Sequence, residues 1–282
     1  MAKNYSPLRY PGGKSKLYDY VRQILIQNNL IGETYIEPFA GGSGLALNFL
    51  LNGDVKRIVL NDIDPAIYKF WKCVLYHPKD LCEFIKSVDV TIEEWDKQKY
   101  IYLNQNNHTE LEIAQSTFFL NRTNVSGILK GGMIGGRTQE GNYKIDARFN
   151  RNDLIKRIQL ISQNSNKIEL YNLDAKKFIQ PQILKHYYKV FINFDPPYVE
   201  KGGQLYTNSF HAKDHEELFK AISSCKRKWI VTYDVNPLIK TLYKKYRGSE
   251  IKLNYFAKTV RESSELIYFS NNLILPDDII LS

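Results

Sequence analysis

A chain of 282 residues has room for one large domain, or for one domain carrying a sizeable insertion. Its hydrophobic fraction of 43% is ordinary for a globular protein, and no apolar run approaches the roughly 20 residues needed to cross a bilayer. The net charge of +9 sets no fold but favours polyanionic partners, and three unevenly spaced cysteines without a C-x-x-C pair fit neither a disulfide framework nor a zinc site.

The chain opens without the apolar core of a signal peptide, which with the cysteine usage points to a reducing cytoplasm and no membrane. The first notable segment, Arg9-Tyr10-Pro11-Gly12-Gly13-Lys14, places an aromatic ring, a flexible turn and a lysine just before a predicted helix at 15–29. Lys14 is suited to face a carboxylate, and Tyr10 to pack on a flat ring or a sulfonium group. A short strand follows at 34–37. It leads into Glu37-Pro38-Phe39-Ala40-Gly41-Gly42-Ser43-Gly44 and a helix at 44–51. Glycines there let the backbone turn sharply and a ligand come close. The spacing is neither G-x-G-x-x-G nor a P-loop, so a pyrophosphate binder is disfavoured. A second strand at 57–61 ends on Asp62, placed to accept from the two hydroxyls of a ribose. Asp64, directly before Pro65, has the alternative of capping the next helix at 65–76.

From about 67 to 160 the strand-helix alternation stops. Helices are predicted at 78–87, 92–105 and 110–126, followed by a glycine-rich loop. Residues 121–160 hold eight Lys or Arg against three acids, more than half of the chain's net charge. Arginines interleaved with Asn, Gln and Thr suit phosphates and base edges. The candidates are Arg122, Asn124, Lys130, Arg137, Lys144 and Arg148. Alternation then resumes, with strands at 168–171, 190–194, 229–233 and 266–269 and helices at 213–225 and 237–246, giving a mostly parallel α/β sheet.

The strand at 190–194 runs into Asp195-Pro196-Pro197-Tyr198. Two prolines have no N–H and cannot continue a sheet. The strand end therefore becomes a cluster of acceptors beside an aromatic ring. Such a cluster fits a planar base bearing an exocyclic amine: oxygens take the N–H bonds, and the phenol ring stacks.

Together these motifs, with Phe119-Leu120-Asn121-Arg122, Tyr206-Thr207, Phe210 through His215, and Arg261 with Ser264-Glu265-Leu266-Ile267, resemble the Dam-like (D12 class) DNA adenine-N6 methyltransferases over nearly the whole chain and in the family's order. The resemblance implies a Rossmann-like S-adenosylmethionine-dependent methyltransferase fold with a mainly helical inserted target-recognition domain. The expected division is 1–66 and 161–282 for cofactor binding and catalysis, and 67–160 for target recognition. It also implies S-adenosylmethionine as methyl donor, no metal, and N6 of a flipped adenine in double-stranded DNA as acceptor. Positions matching Tyr10, Lys14, Asp62 and Asp195 contact the cofactor in that family, and Asp174 lies near its adenine. Glu37, Phe39, Gly41 and Gly42 complete the expected cofactor set. Asp195, Pro196, Pro197 and Tyr198 form the catalytic set. A cognate restriction endonuclease is a possible partner, and a monomer is expected. Residues 131–150 depart from the recognition loop of GATC-reading members, so GATC does not follow. The alternatives are an N4-cytosine or RNA N6 methyltransferase of the same architecture, or a catalytically silent DNA-binding relative.

Overall fold

Short apolar runs bounded by glycine, proline and aspartate become the sheet, and amphipathic stretches between them become its helices. The computed structural model describes residues 3, 5–10, 14–199, 210–256 and 260–276; at 15, 16, 252–256 and 260–263 it describes the backbone alone. A 3₁₀ turn at Lys14–Leu17 leads into α1 (Tyr18–Gln27), β1 (Thr34–Glu37), α2 (Gly44–Leu51), β2 (Arg57–Asn61) and α3 (Pro65–Tyr76). Then come α4 (Pro78–Ser87), α5 (Ile92–Leu103), α6 (Glu110–Thr123), α7 (Arg151–Ser162), β3 (Ile168–Tyr171), α8 (Ala175–Phe178), α9 (Pro181–Leu184) and β4 (Val190–Phe194). The last described elements are α10 (Ala212–Ser224), β5 (Lys228–Asp234), α11 (Pro237–Tyr243), β6 (Arg247–Phe256) and β7 (Val260–Phe269). No helix among the described residues is long and apolar enough to cross a membrane.

The chain forms two compact units. The first comprises Met1–Asn4, Gly12–Ile63 and Tyr171–Ser282, and the second Tyr5–Pro11 and Asp64–Leu170. A seven-stranded sheet in the order β3-β2-β1-β4-β5-β7-β6 runs through the first unit. Strand β1 pairs parallel with both β2 and β4, β4 pairs parallel with β5, and β7 is antiparallel to both its neighbours. This is the Rossmann-like methyltransferase sheet that the resemblance implies. The strand order reverses between β1 and β4, so a crevice opens at their carboxyl ends, where ligands of such sheets bind.

Burial explains the strand sequences. All five residues of β4, Val190-Phe191-Ile192-Asn193-Phe194, are buried, as a central parallel strand covered on both faces requires. On one face Ile36, Ile192, Phe194, Trp229, Val231 and Tyr233 pack with Leu218 and Ile222 of α10 and with Ile239 and Tyr243 of α11. Truncating a ring such as Trp229, 1% exposed, costs about 3–5 kcal/mol. Helix α2 is buried on almost every side, which matches its sequence Gly-Leu-Ala-Leu-Asn-Phe-Leu-Leu.

The second unit is mainly helical. Its helices start where the sequence supplies caps. Asp64 accepts from the Ala66 N–H at 2.9 Å with Pro65 at the first position of α3, Thr109 and Glu112 close a capping box on α6, and Asn150 accepts from the Asp153 N–H at the start of α7. Its core holds Phe70, Trp71, Phe118, Phe119 and Phe149, with Phe70 and Phe118 stacked at 6.2 Å. Asn121 of α6 fastens the segment 5–10 to this unit. Its Oδ1 accepts from the Arg9 N–H at 2.7 Å, and its Nδ2 donates to the Arg9 and Gly127 carbonyls.

Candidate active site

The residues singled out after β1, β2 and β4 converge within the first unit at the strand ends. Chain reversal after β1 uses two left-handed residues, Gly41 at φ 44° and Ser43 at φ 47°. Gly41 has no Cβ to oppose that conformation, and its N–H donates to Asp62 Oδ2 at 2.8 Å. Asp62, next after β2, is thus tied to the glycine turn. Asn61 laces three strand ends together: its Nδ2 donates to the Pro38 and Leu173 carbonyls, and its Oδ1 accepts from the Leu173 N–H. Glu37, the last residue of β1, is buried. It accepts from the Ala46 N–H at 3.2 Å and from the Tyr35 hydroxyl at 3.3 Å. Burial, then the charge of Asp195, pushes its carboxyl up to about 8.

Asp195 lies at the centre. Its Oδ1 accepts from Lys14 Nζ at 2.9 Å and from the Thr232 hydroxyl at 3.0 Å, and its side chain remains 25% exposed. Burial and the neighbouring Glu265 raise its carboxyl, against the opposing pull of Lys14 and Thr232. Lys14 is 3% exposed, with Glu265 Oε2 at 3.4 Å on its other side. Burial disfavours the ammonium, but the two carboxylates outweigh it and hold the lysine protonated. Lys14 Nζ also donates to the Tyr198 hydroxyl at 2.7 Å, and that hydroxyl donates to Glu265 Oε1. The Tyr198 ring is 9% exposed. Beyond it, the Val199 N–H donates to Asp234 Oδ1 at 3.0 Å.

The other expected residues stand as follows. Phe39 is half-buried and packs edge-on to Phe210 at 6.2 Å. Asp174 caps α8, accepting from the Lys176 N–H at 2.8 Å and the Lys177 N–H at 3.3 Å. Tyr10 belongs to the second unit. Pro11, Gly12, Gly13, Tyr206 and Thr207, and the side chain of Arg261, lie outside the described residues. Glu265 and Thr232 were given no role from sequence alone. The signal for Glu265 is an acid directly before the apolar run Leu266-Ile267-Tyr268-Phe269.

In the second unit, Asn124 is fully buried. Its Oδ1 accepts from Trp95 Nε1 at 2.7 Å, and its Nδ2 donates to the Ile128 and Leu129 carbonyls, so it shapes the loop from within. Arg122 spends its donors on the carbonyls of Arg148 and Pro7. Burial, then Arg9, Arg157 and Arg148 nearby, pushes its guanidinium down to about 9. Arg137 makes a two-bond pair with Asp96, at 2.6 and 2.9 Å, on the surface. Lys144 donates to the Gln139 carbonyl, and the Arg148 guanidinium lies 5.2 Å from the Tyr143 ring centre.

Residues 10–256 match the family described as D12 class N6 adenine-specific DNA methyltransferase. A Type II methyltransferase of Methanocaldococcus jannaschii, M.MjaIII, is 23% identical over 210 residues, covering 68% of each chain. Among solved structures, a Pyrococcus horikoshii protein provisionally described as an RNA methyltransferase aligns at TM-score 0.44 and 10% identity, over 94% of this chain and 88% of that one. A Listeria monocytogenes protein provisionally described as a class I S-adenosylmethionine-dependent methyltransferase aligns at TM-score 0.39 and 13% identity, over 94% and 63%.

Proposed function

This chain belongs to the D12 class of N6 adenine-specific DNA methyltransferases, and we propose that it methylates N6 of an adenine flipped out of double-stranded DNA at a specific site. S-adenosylmethionine is the cofactor, and when bound it supplies an electrophilic methyl group on a positively charged sulfur. The donor and acceptor set at the strand ends fits that molecule. Asp62 takes the ribose hydroxyls, the Gly41-Gly42 turn admits the nucleoside closely, and the buried Lys14 ammonium serves the cofactor site by holding Asp195. The Asp195 carboxylate favours the cofactor's cationic end, with Glu37 beneath it at the end of β1. Phe39 and Asp174 complete the cofactor set within the first unit.

The observation that carries the reading is Asp195. It follows a fully buried strand and precedes two residues without N–H groups, and its bonds from Lys14 and Thr232 both fall on Oδ1. That leaves Oδ2 and the Pro196 carbonyl to accept the two N6 hydrogens, which keeps lone-pair density on the nitrogen and aims it. Pro197 holds the chain extended, so that Tyr198 follows at the rim and its ring stacks on the base. Flipping costs a few kcal/mol, and stacking on a tyrosine returns about 1–3 kcal/mol. No strong base is needed before transfer, because the nitrogen becomes acidic only once methylated. Positioning and electrostatics supply most of the rate.

Target recognition falls to the second unit, over the expected 67–160. Lys130, Arg137, Lys144 and Arg148 contact DNA, and Arg122 and Asn124 shape the loop that presents them. The enzyme acts as a monomer in the cytoplasm, alone or beside a cognate restriction endonuclease. Single-molecule methylome sequencing of DNA from cells expressing the chain tests the whole reading. N6-methyladenine at one sequence motif supports it. N4-methylcytosine, or no modification, overturns it.

A further inference from the structure

We propose that Glu265 is a positioning residue of the methyl-transfer site, acting through the hydroxyl of Tyr198; the inference rests on the reading that Tyr198 receives the flipped base. Antiparallel pairing of β5 with β7 sets Glu265 directly opposite Asp234. The two acids then hold the tyrosine at both ends. Asp234 takes the Val199 N–H just after it, and Glu265 takes its hydroxyl, which also receives Lys14 Nζ at 2.7 Å.

This arrangement differs from a simple ion pair that neutralises a buried lysine. Lys14 already has Asp195 at 2.9 Å, nearer than Glu265 at 3.4 Å. Glu265 is completely buried, and an ionised carboxylate in such a place is costly unless its oxygens are bonded. One oxygen faces the lysine and the other the phenol. The lysine lies 5.1 Å from the Tyr198 ring centre but only 2.7 Å from its hydroxyl. It is therefore at the hydroxyl end of the ring, not above a face. Both groups grip the ring at its hydroxyl edge. A ring fixed at its hydroxyl and at the following peptide has little freedom to tilt, and a receiver held this way loses less entropy when a base arrives.

The test uses the full chain and a duplex carrying its methylated motif, with 2-aminopurine at the target position to report flipping. Tyr198→Phe keeps the ring and removes only the hydroxyl. We expect it to slow single-turnover methylation by about tenfold and to lower the flipping signal, with DNA affinity held. Glu265→Gln is expected to lose a similar amount, and the double variant to lose no more than the worse single variant within about twofold, because both act through one bond. Losses that multiply overturn the proposal. Should Glu265→Gln fail to fold, Tyr198→Phe decides alone: the parent's rate and flipping signal in that variant overturn the proposal. A parent chain that methylates no adenine defeats the underlying reading instead, so the two failures are distinct.

Discussion

At the scale of single residues, Glu37 and Asp195 make opposite demands on the same small volume. Glu37 is buried, and burial, then the charge of Asp195, holds its proton up to about 8. The folded chain keeps that proton where the unfolded chain, titrating near the ordinary 4.5, has lost it. The stabilisation is complete below about pH 4.5 and is lost as pH rises toward about 8, a change on the order of a few kcal/mol. Urea unfolding of the parent should therefore show stability falling between pH 5 and 8. Glu37→Gln, which keeps no titrating group, should flatten that fall; an unaltered slope would place the titration elsewhere. Asp195→Ala should abolish methyl transfer while the chain stays folded, since the side chain is a partly exposed strand-end acid. Retention of more than about a tenth of the rate, a loss under about 1.4 kcal/mol, would remove Asp195 from the chemistry. The sequence made Asp195 and Lys14 legible because prolines and glycines mark their turns. It gave Glu265 no role, because only the pairing of β7 beside β5 brings that acid to residues some 70 and 250 positions away.

At the scale of elements, strands β1 to β4 are recovered from sequence at their full bounds, since each is a short apolar run closed by a turn residue or a cap. The reading is weaker where polar residues sit inside regular structure. Helix α7, Arg-Asn-Asp-Leu-Ile-Lys-Arg-Ile-Gln-Leu-Ile-Ser, lay hidden in a charged stretch, although Leu154, Ile158 and Ile161 form its buried stripe. Strand β6, Arg-Gly-Ser-Glu-Ile-Lys-Leu-Asn-Tyr-Phe, was not anticipated, and β7 extends six residues before the expected 266. A sheet-edge hairpin needs no continuous apolar run, so it leaves little trace. Within the second unit, Gly127 is the hinge on which the loop after α6 depends. Its φ is +77°, and an added Cβ would meet the Arg9 carbonyl oxygen at 2.3 Å. Gly127→Ala should destabilise that unit by about 1–3 kcal/mol. Hydrogen exchange that slows or stays constant across α6 and residues 5–10 in this variant would refute the strain.

For the whole molecule, charge is unevenly spread: 40 residues of the second unit carry more than half of the excess. Neutralising phosphates releases counterions, so DNA affinity should fall steeply with salt, by about 0.9 of a logarithmic unit per contact. Replacing Arg137, Lys144 and Arg148 together by alanine should flatten that dependence, as read from binding isotherms at several salt concentrations. The exposed Arg137–Asp96 pair, screened by water, is easily exchanged for a phosphate. An unchanged slope would put the DNA surface on other residues.

The connection between the two units has a consequence for biosynthesis. Strand β2 ends at Asn61 and its neighbour β3 begins at Ile168, yet the Asp62 N–H donates to the Tyr171 carbonyl at 3.2 Å. Chain leaves and returns through adjacent strands, and β1 must wait still longer for β4. At about 5–20 residues per second, the ribosome takes about 5–20 seconds to make the intervening hundred or so residues. Throughout that interval β1 and β2 wait with their outer edges unsatisfied, and at its end the helical unit, nearly continuous in sequence, is complete. The helical unit is thus the first part of the nascent chain able to fold, and the cluster of Lys14, Asp195, Tyr198 and Glu265, which needs β7, is the last.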